Sequence, residues 1–416
     1  MKKGNAVYAQ SGGVTSVING SAYGVIKAAQ EADFIENIYG GLYGINGVLN
    51  ENLVDISKES NEDIERLPFT PSGAFGSCRI KLPSLEKNRA DFERIIEVFK
   101  AHDVRYFFYN GGNDSMDTAY KVSLLGKEMG YDITAIGVPK TVDNDLPVTD
   151  NCPGFGSVAK YNAVSMREAS FDVASMHHDS TKVFVSETMG RHAGWIAAST
   201  ALASRNENEG PHIILLPEVA FDQDKFLAEV ERILSRVGFC VIAASEGIHK
   251  ADGKFVADAG SVDNFGHTQL GGAGDTIARM VKTNLGLKVH HALPDYFQRS
   301  GRHIASKTDL EQAIAVGKEA VRLAGLGLNG QMATIVRESN SPYFWSVGHT
   351  DIANIANKEK ILPPEYIRED GFHVTEAFRQ YCTPLIEGEL YPPFKNGLPD
   401  YMQLKRILLE KRLQDR

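Results

Sequence analysis

The stretch Arg105-Tyr106-Phe107-Phe108-Tyr109-Asn110-Gly111-Gly112-Asn113-Asp114-Ser115 decides the fold. Its aromatic run is short and rich in residues that favour a pleated surface, which predicts a buried strand over 105–109. A glycine turn follows, then a helical pattern over 115–129. Residues 133–138 predict a second strand, which ends in Pro139-Lys140-Thr141-Val142-Asp143-Asn144-Asp145. Strand, helix and strand in this order form a βαβ unit with turns at the strand ends. Open α/β sheets bind ligands in the crevice outside those ends. Acids, one cation and closely approaching backbone suit a site for metal and phosphate.

The same alternation extends in both directions and predicts an α/β architecture. Ala6 to Ala9 is a short buried strand, followed by Ser11-Gly12-Gly13 and a helix from Ser16 to Glu31. Ala90 to His102 carries Phe92, Ile95, Ile96 and Phe99 at helical spacing. A second α/β unit begins near Gly154. It comprises a helix to Ala174, a strand over Val183–Ser186, a helix over 192–204, and strands at Ile213–Leu216 and Cys240–Ala244. Between the last two, Asp222–Val237 is amphipathic. Asp309–Leu323 reads as a helix, Met332–Val336 as a strand, and Leu404–Leu413 as an amphipathic terminal helix. The C-terminal region shows no independent chemistry, and no short repeat or low-complexity tract occurs.

A chain of 416 residues is long enough for two or three domains and a large core. Its net charge of −9 argues against a nucleic-acid surface. Local basic clusters, such as Arg191-His192 and Arg299 to Arg302, still leave room for an anionic substrate. Cys78, Cys152, Cys240 and Cys382 are far apart without a CxxC, so neither a zinc site nor a disulfide framework is expected. Reduced thiols, no signal peptide and no run of ~18 apolar residues lead to the expectation of a cytoplasmic protein without a membrane span.

Several residues at strand ends carry candidate chemistry. Gly12-Gly13 lets backbone amides approach phosphate ahead of a helix, although such a turn is also an ordinary helix start. No GxxxxGK[ST] is present, which excludes the usual P-loop. Asp114 fits two roles, a helix-start acid or a residue that handles metal and charge. Arg79 follows the small-residue segment Gly76-Ser77-Cys78 and reads either as a surface ion-pair partner or as a phosphate clamp. Asp143 can accept a proton from a hydroxyl nucleophile, and Asp145 can orient it or meet metal-bound water. Alternatively, the two acids occupy a polar turn kept rigid by Pro139 and Pro147. Gly190 permits a close approach and Arg191 can reach a phosphate. Glu246, past its strand, can bind sugar hydroxyls. Tyr296 and Arg299 offer a phenol and a guanidinium.

From Gly12-Gly13 through Arg302, these segments together resemble the phosphofructokinase family. Pro139-Lys140-Thr141-Val142-Asp143-Asn144-Asp145 and Met189-Gly190-Arg191 are the most specific parts of the match. The resemblance implies two Rossmann-like lobes with mostly parallel sheets and the active site in the cleft between them. It divides the chain into a phosphoryl-donor lobe, residues 1–153 with about 295–345, and a sugar-phosphate lobe, residues 154–294 with about 346–416. It implies Mg2+-dependent transfer to the 1-hydroxyl of fructose 6-phosphate, with a homodimer or homotetramer as the assembly. By position, Asp143 is the base, and Gly13, Arg79 and Gly112 meet the donor. Thr141, Val142, Met189, Gly190, Arg191, Glu246, Tyr296 and Arg299 bind the sugar phosphate. Lys182 stands where relatives reach into a neighbouring subunit's site.

Asp114 and Lys140 resemble the pyrophosphate-dependent branch, because ATP-using members usually have glycine at both places. Asp114 would obstruct and repel a nucleotide α-phosphate, and Lys140 would stabilise the leaving phosphate. Arg191 joins Asp143, Lys140 and Asp114 among the expected catalytic groups. There are departures from the pattern. Asn113 takes the place of a common magnesium-linked aspartate, and its amide oxygen remains a metal candidate. His290 and His291 lie where an arginine often binds sugar phosphate, and Tyr296 replaces a frequent histidine. The alternatives are an ATP-dependent enzyme, acceptance of sedoheptulose 7-phosphate, and a non-catalytic regulatory subunit, against which Asp143, Lys140 and Arg191 argue. The first turn lacks GxGxxG, which argues against a dinucleotide oxidoreductase.

Overall fold

The structure, a computed structural model, describes residues 2–80, 82–83, 86–257 and 271–414. Two sheets organise the chain. The larger contains β1 (Gly4–Gln10), β2 (Ile35–Gly41), β3 (Leu53–Asp55), β4 (Val104–Gly111) and β5 (Thr134–Pro139). The smaller contains β6 (Val183–Thr188), β7 (Ile213–Leu215), β8 (Cys240–Ser245) and β9 (Val289–Ala292). The chain then returns to the larger sheet with β10 (Gln331–Asn340) and β11 (Tyr343–Asp351). The larger sheet has seven strands in the order β11-β10-β5-β4-β1-β2-β3, with antiparallel pairs only at its two edges. The smaller, in the order β7-β8-β6-β9, is entirely parallel. This is the expected α/β architecture with mostly parallel sheets.

Burial explains why the aromatic run forms a central strand. Phe107 and Tyr109 face one core together with Val7 and Ala9. Tyr106 and Phe108 face the other with Ala6 and Tyr8. A strand covered on both faces carries a continuous apolar run, as parallel sheets require. Helices Arg89–Ala101 and Asn113–Glu128 line the first face. Helices Ile18–Glu31 and Lys307–Gly325 line the second. These last two approach so closely that a Cβ on Gly24 would lie 2.2 Å from the Ile314 carbonyl oxygen. One on Gly317 would lie 2.3 Å from that of Ser21. Only glycine fits at such backbone contacts.

The return segment also fixes the start of the second lobe. The Asp309 carboxylate accepts from the Gly154 and Ser157 amides, both at 2.9 Å, and caps helix Phe155–Met176. Burial pushes this carboxyl up to about 6. Helices Gln223–Val237 and Ala273–Leu285 bury the outer face of the smaller sheet.

The expectation of a terminal helix over 404–413 is corrected. That segment is extended, with Val54 and Leu408 forming a bridge. Its backbone pairs with the edge strand β3 through Asp55 N to Ile407 O and Leu409 N to Leu53 O, both 2.8 Å. An unpaired strand edge captures a neighbouring chain more strongly than a short charged helix stabilises itself. The expected helix over 192–204 is split into helix Trp195–Ser199 and the 3-10 turn Thr200–Ala203. The boundary expected near residue 345 falls inside β11.

Candidate active site between the two sheets

In the larger sheet the chain passes from β1 to β2 on one side, then returns to β4 and β5 on the other. This reversal opens a crevice at the carboxyl ends of β1 and β4. Three turns meet there. Ser11 donates its amide to Asn110 O at 2.9 Å, and Lys140 donates its amide to Gly111 O at 3.1 Å. The segment before Arg79 joins through Gly12 N to Cys78 O, 2.9 Å, and Ser77 Oγ to Gly12 O, 2.7 Å.

These contacts gather three cations at Gly13. The Lys140 Nζ donates to the Gly13 carbonyl at 2.7 Å. A Cβ on Gly13 would lie 2.8 Å from Arg299 Nη1 and 3.5 Å from Arg79 Nη2. The absent side chain therefore leaves room for the two guanidiniums and for an anion between them. Lys140 is 3% exposed. Burial, followed by the Arg299 and Arg79 charges, lowers its ammonium to about 8, against partial compensation by Asp143 and Asp145. Burial and Arg79 likewise lower the Arg299 guanidinium. Three cations held this close favour a polyanionic ligand. Arg299 also lies 4.2 Å from the centroid of the exposed Tyr296 ring.

Gly112 precedes helix Asn113–Glu128, so Asn113 and Asp114 occupy its first turn, where negative charge is favoured. Ser115 lies inside the helix and is not its cap. The Gly112 position lies 3.8 Å from the Lys140 carbonyl oxygen, measured from the Cβ it would carry. The turns bearing Asp114 and Lys140 are therefore adjacent, while the Lys140 ammonium itself is directed to Gly13.

The acidic turn runs from Lys140 to Asp145. Thr141 Oγ1 accepts from the Asp143 amide at 3.1 Å, and Val142 packs against the apolar core of the second lobe. Asn144 holds φ = +54° and is fully buried. Its amide group donates to Tyr381 Oη at 3.0 Å and accepts from Cys152 N at 2.9 Å. Burial raises the Asp143 carboxyl above the usual carboxylate range, and Glu246 adds to this. Lys140, Arg299 and Arg191 oppose it. Asp145 is raised by burial, then by Asp143 and Glu359. Groups from both lobes thus act on Asp143, which places it in the cleft.

Asn113 Nδ2 donates to Asp145 Oδ2 at 3.3 Å, while Asn113 Oδ1 and Asp145 Oδ1 are buried and accept no hydrogen bond from the protein. Two such oxygens fit a hard divalent cation that takes its remaining ligands from water and phosphate. Among the described residues no group of three or more His, Cys, Asp or Glu suits a metal ion.

On the opposite shore, β6 leads into Met189-Gly190-Arg191 and β8 into Glu246. Gly190 donates its amide to Glu246 Oε1 at 3.1 Å. Burial, the largest influence, raises the Glu246 carboxyl. Gln298, beside Arg299, accepts from the Met189 amide at 3.2 Å. The helix Tyr296–Ser300 therefore ties Arg299 at Gly13 to the Arg191 turn. Lys182 lies elsewhere. It precedes β6 at the strand end opposite the cleft and donates to His177 O at 3.0 Å. His290 and His291 lie on β9, with His291 3.9 Å from Asp275. Asn144, Gln298, Glu359 and Lys360 were not singled out by sequence reasoning. Asn144 and Gln298 lay within segments already of interest, while Glu359 and Lys360 did not.

A cationic crevice at a sheet reversal, facing a carboxylate-bearing turn between two α/β lobes, suits phosphoryl transfer. The phosphofructokinase family model matches residues 5–324, and the chain belongs to that family. It is 56% identical over 416 residues to the pyrophosphate–fructose 6-phosphate 1-phosphotransferase of Halomonas elongata, covering 100% of this chain and 99% of the other. Over 410 residues it is 57% identical to the enzyme of the same name from Methylococcus capsulatus, covering 98% of each. The crystal structure of a pyrophosphate-dependent phosphofructokinase from Nitrosospira multiformis superposes with a TM-score of 0.92 at 55% identity, covering 99% of each chain.

Proposed function

We propose that this protein transfers a phosphoryl group reversibly from pyrophosphate to the 1-hydroxyl of fructose 6-phosphate, giving fructose 1,6-bisphosphate and phosphate. The observation that carries this reading is the convergence of Lys140, Arg79 and Arg299 on Gly13 beside the Asp114 turn. That arrangement suits a compact inorganic polyanion. The names of the relatives in Halomonas elongata and Methylococcus capsulatus support the same donor and acceptor.

In this reading the larger-sheet lobe holds the donor and the smaller-sheet lobe holds the sugar phosphate. Gly13 and Gly112 present backbone to pyrophosphate, and Arg79 and Arg299 neutralise it. The raised Asp143 carboxylate accepts the proton of the 1-hydroxyl as the new P–O bond forms. The bridging P–O bond breaks, and Lys140 stabilises the electron pair left on phosphate. Arg191 and Glu246 hold the sugar phosphate, with Thr141, Met189, Gly190 and Tyr296 around it. Asn113 and Asp145 would hold Mg2+, which when bound offsets phosphate charge. Asp114 occupies the space an ATP α-phosphate would need.

The enzyme is expected to be cytoplasmic and a homodimer or homotetramer. No helix among the described residues is long and apolar enough to cross a membrane. Turnover of fructose 6-phosphate with pyrophosphate, and separately with ATP, tests the donor. Brisk pyrophosphate turnover with little from ATP is expected, and the reverse result would overturn the assignment. Replacing the acceptor by sedoheptulose 7-phosphate measures acceptor range in the same assay.

A further inference from the structure

The short segment Glu359–Leu362, far along the chain from every strand-end motif, touches both turns that carry the chemistry. On one side, Lys360 donates its amide to the Asp145 carbonyl at 2.6 Å. Its Nζ donates to the Thr149 and Asp150 carbonyls at 3.0 and 2.9 Å. These three acceptors lie in the loop that begins with Asp143. On the other side, the Trp195 indole donates to the Lys360 carbonyl at 3.0 Å, and the Lys360 Nζ lies 5.2 Å from that ring's centroid. Glu359 Oε2 pairs with His192 Nδ1 at 3.2 Å. Glu218 Oε1 accepts from both Leu362 N and Gly194 N, at 2.9 and 2.8 Å. His192, Gly194 and Trp195 all follow Arg191 directly.

We propose that Lys360 is a positioning residue for phosphoryl transfer. With Glu359 it forms a strap that sets the Asp143 turn on one lobe in register with the Arg191 turn on the other. The proposal rests on the transfer reaction assigned above. Lys360 touches no reacting atom. It acts through the carbonyls of Asp145, Thr149 and Asp150, which fix where Asp143 points. Three hydrogen bonds from one ammonium and one amide onto a single loop make a stiff link. A methionine of similar length would keep the amide bond to Asp145 but take the ammonium from the Thr149 and Asp150 carbonyls, loosening the far half of the loop. The donor cluster at Gly13 is held instead by β1, β4 and the segment before Arg79.

The test compares Lys360→Met, Lys360→Arg and Glu359→Gln with the unaltered protein. Misplacement of a reacting group by about 1 Å costs on the order of a hundredfold, so Lys360→Met should lose about tenfold to a hundredfold in kcat. Its KM for pyrophosphate should stay within about twofold, and its KM for fructose 6-phosphate should rise. Lys360→Arg keeps a cationic donor and should recover part of kcat. An unchanged kcat in Lys360→Met overturns the proposal, as does a loss spread equally over both KM values with no recovery in Lys360→Arg. Should Lys360→Met fail to fold, Glu359→Gln decides the matter, because Glu359 is exposed. It should raise the KM for fructose 6-phosphate alone, and an unaltered KM refutes the strap. Backbone amide exchange gives a readout independent of turnover. Residues 141–150 and 190–196 should both exchange faster in Lys360→Met, and no change in either refutes the strap even for a protein inactive with pyrophosphate. Absence of turnover in the unaltered protein, by contrast, refutes the assigned reaction.

Discussion

Replacing Lys140 by methionine should move activity and stability in opposite directions. The ammonium sits at the junction of β1, β4 and β5, donates to Gly13 O at 2.7 Å, and is crowded by Arg79 and Arg299. Loss of one preorganised charge contact to a developing anion costs ~2.7–4 kcal/mol, or ~10²–10³ in kcat. The two arginines remain, so the KM for pyrophosphate should rise far less than kcat falls. Stability follows the opposite sign. Folding lowers the Lys140 ammonium from 10.5 to about 8, chiefly by burial. At ~1.4 kcal/mol per pH unit this corresponds to a folding cost of about 3 kcal/mol. Below pH 8 the group is charged in both states and the whole cost applies. Between about 8 and 10.5 the unfolded chain binds more protons than the native one, so stability rises with pH as the cost is relieved. Methionine removes the cost and also the hydrogen bond to Gly13, worth about 1 kcal/mol. A net gain of about 2 kcal/mol at pH 7 is therefore expected. Denaturant unfolding across pH 6–10, with steady-state kinetics on the same samples, checks both halves. A variant less stable than the parent at pH 7, or one that keeps the parent's upward slope above pH 8, would refute the burial argument. A fall in kcat under tenfold would refute the role at the leaving group.

Asp143→Asn should lower kcat by ~10²–10⁴, the range for loss of a positioned proton acceptor, with circular dichroism unchanged; near-normal turnover would remove Asp143 from that role. Because burial and Glu246 raise the Asp143 carboxyl, activity should fall on acidification at a pH above the ordinary carboxylate range, and in Glu246→Gln this limb should move to lower pH. The double change Asp114→Gly with Lys140→Gly should weaken pyrophosphate use and begin to admit ATP, measured as the ratio of kcat/KM for the two donors. Asn144→Ala loses two buried hydrogen bonds at a positive φ, and should cost about 1–3 kcal/mol in unfolding experiments.

The turns after β1, β4 and β5 were legible in the sequence because their signals are local. An aromatic run buried on both faces stops at glycines, and the charged residues follow at once. The same holds for Met189-Gly190-Arg191 and Glu246 past β6 and β8. The strand β2 was less visible because Glu36 and Asn37 interrupt its apolar pattern. The tail over 404–413 has helical periodicity, but tertiary pairing with β3 overrides it. Lys360 carried no signal at all. Its importance comes from carbonyls that only the folded chain brings together, and a lone lysine between Glu359 and Ile361 is indistinguishable in sequence from a solvated one. Arg299 was expected with the sugar, yet its guanidinium also reaches Gly13, a contact made possible by the short helix that Gln298 ties to Met189.

The split of the larger sheet across the chain has a bearing on synthesis at the ribosome. β5 emerges with its outer edge bare, and β10, which pairs with it, follows some two hundred residues later. In that interval the all-parallel sheet is complete in the nascent polypeptide, while the first sheet must wait with an open flank. A release factor acting early, or a pause before β10, would leave that flank exposed to association with other chains.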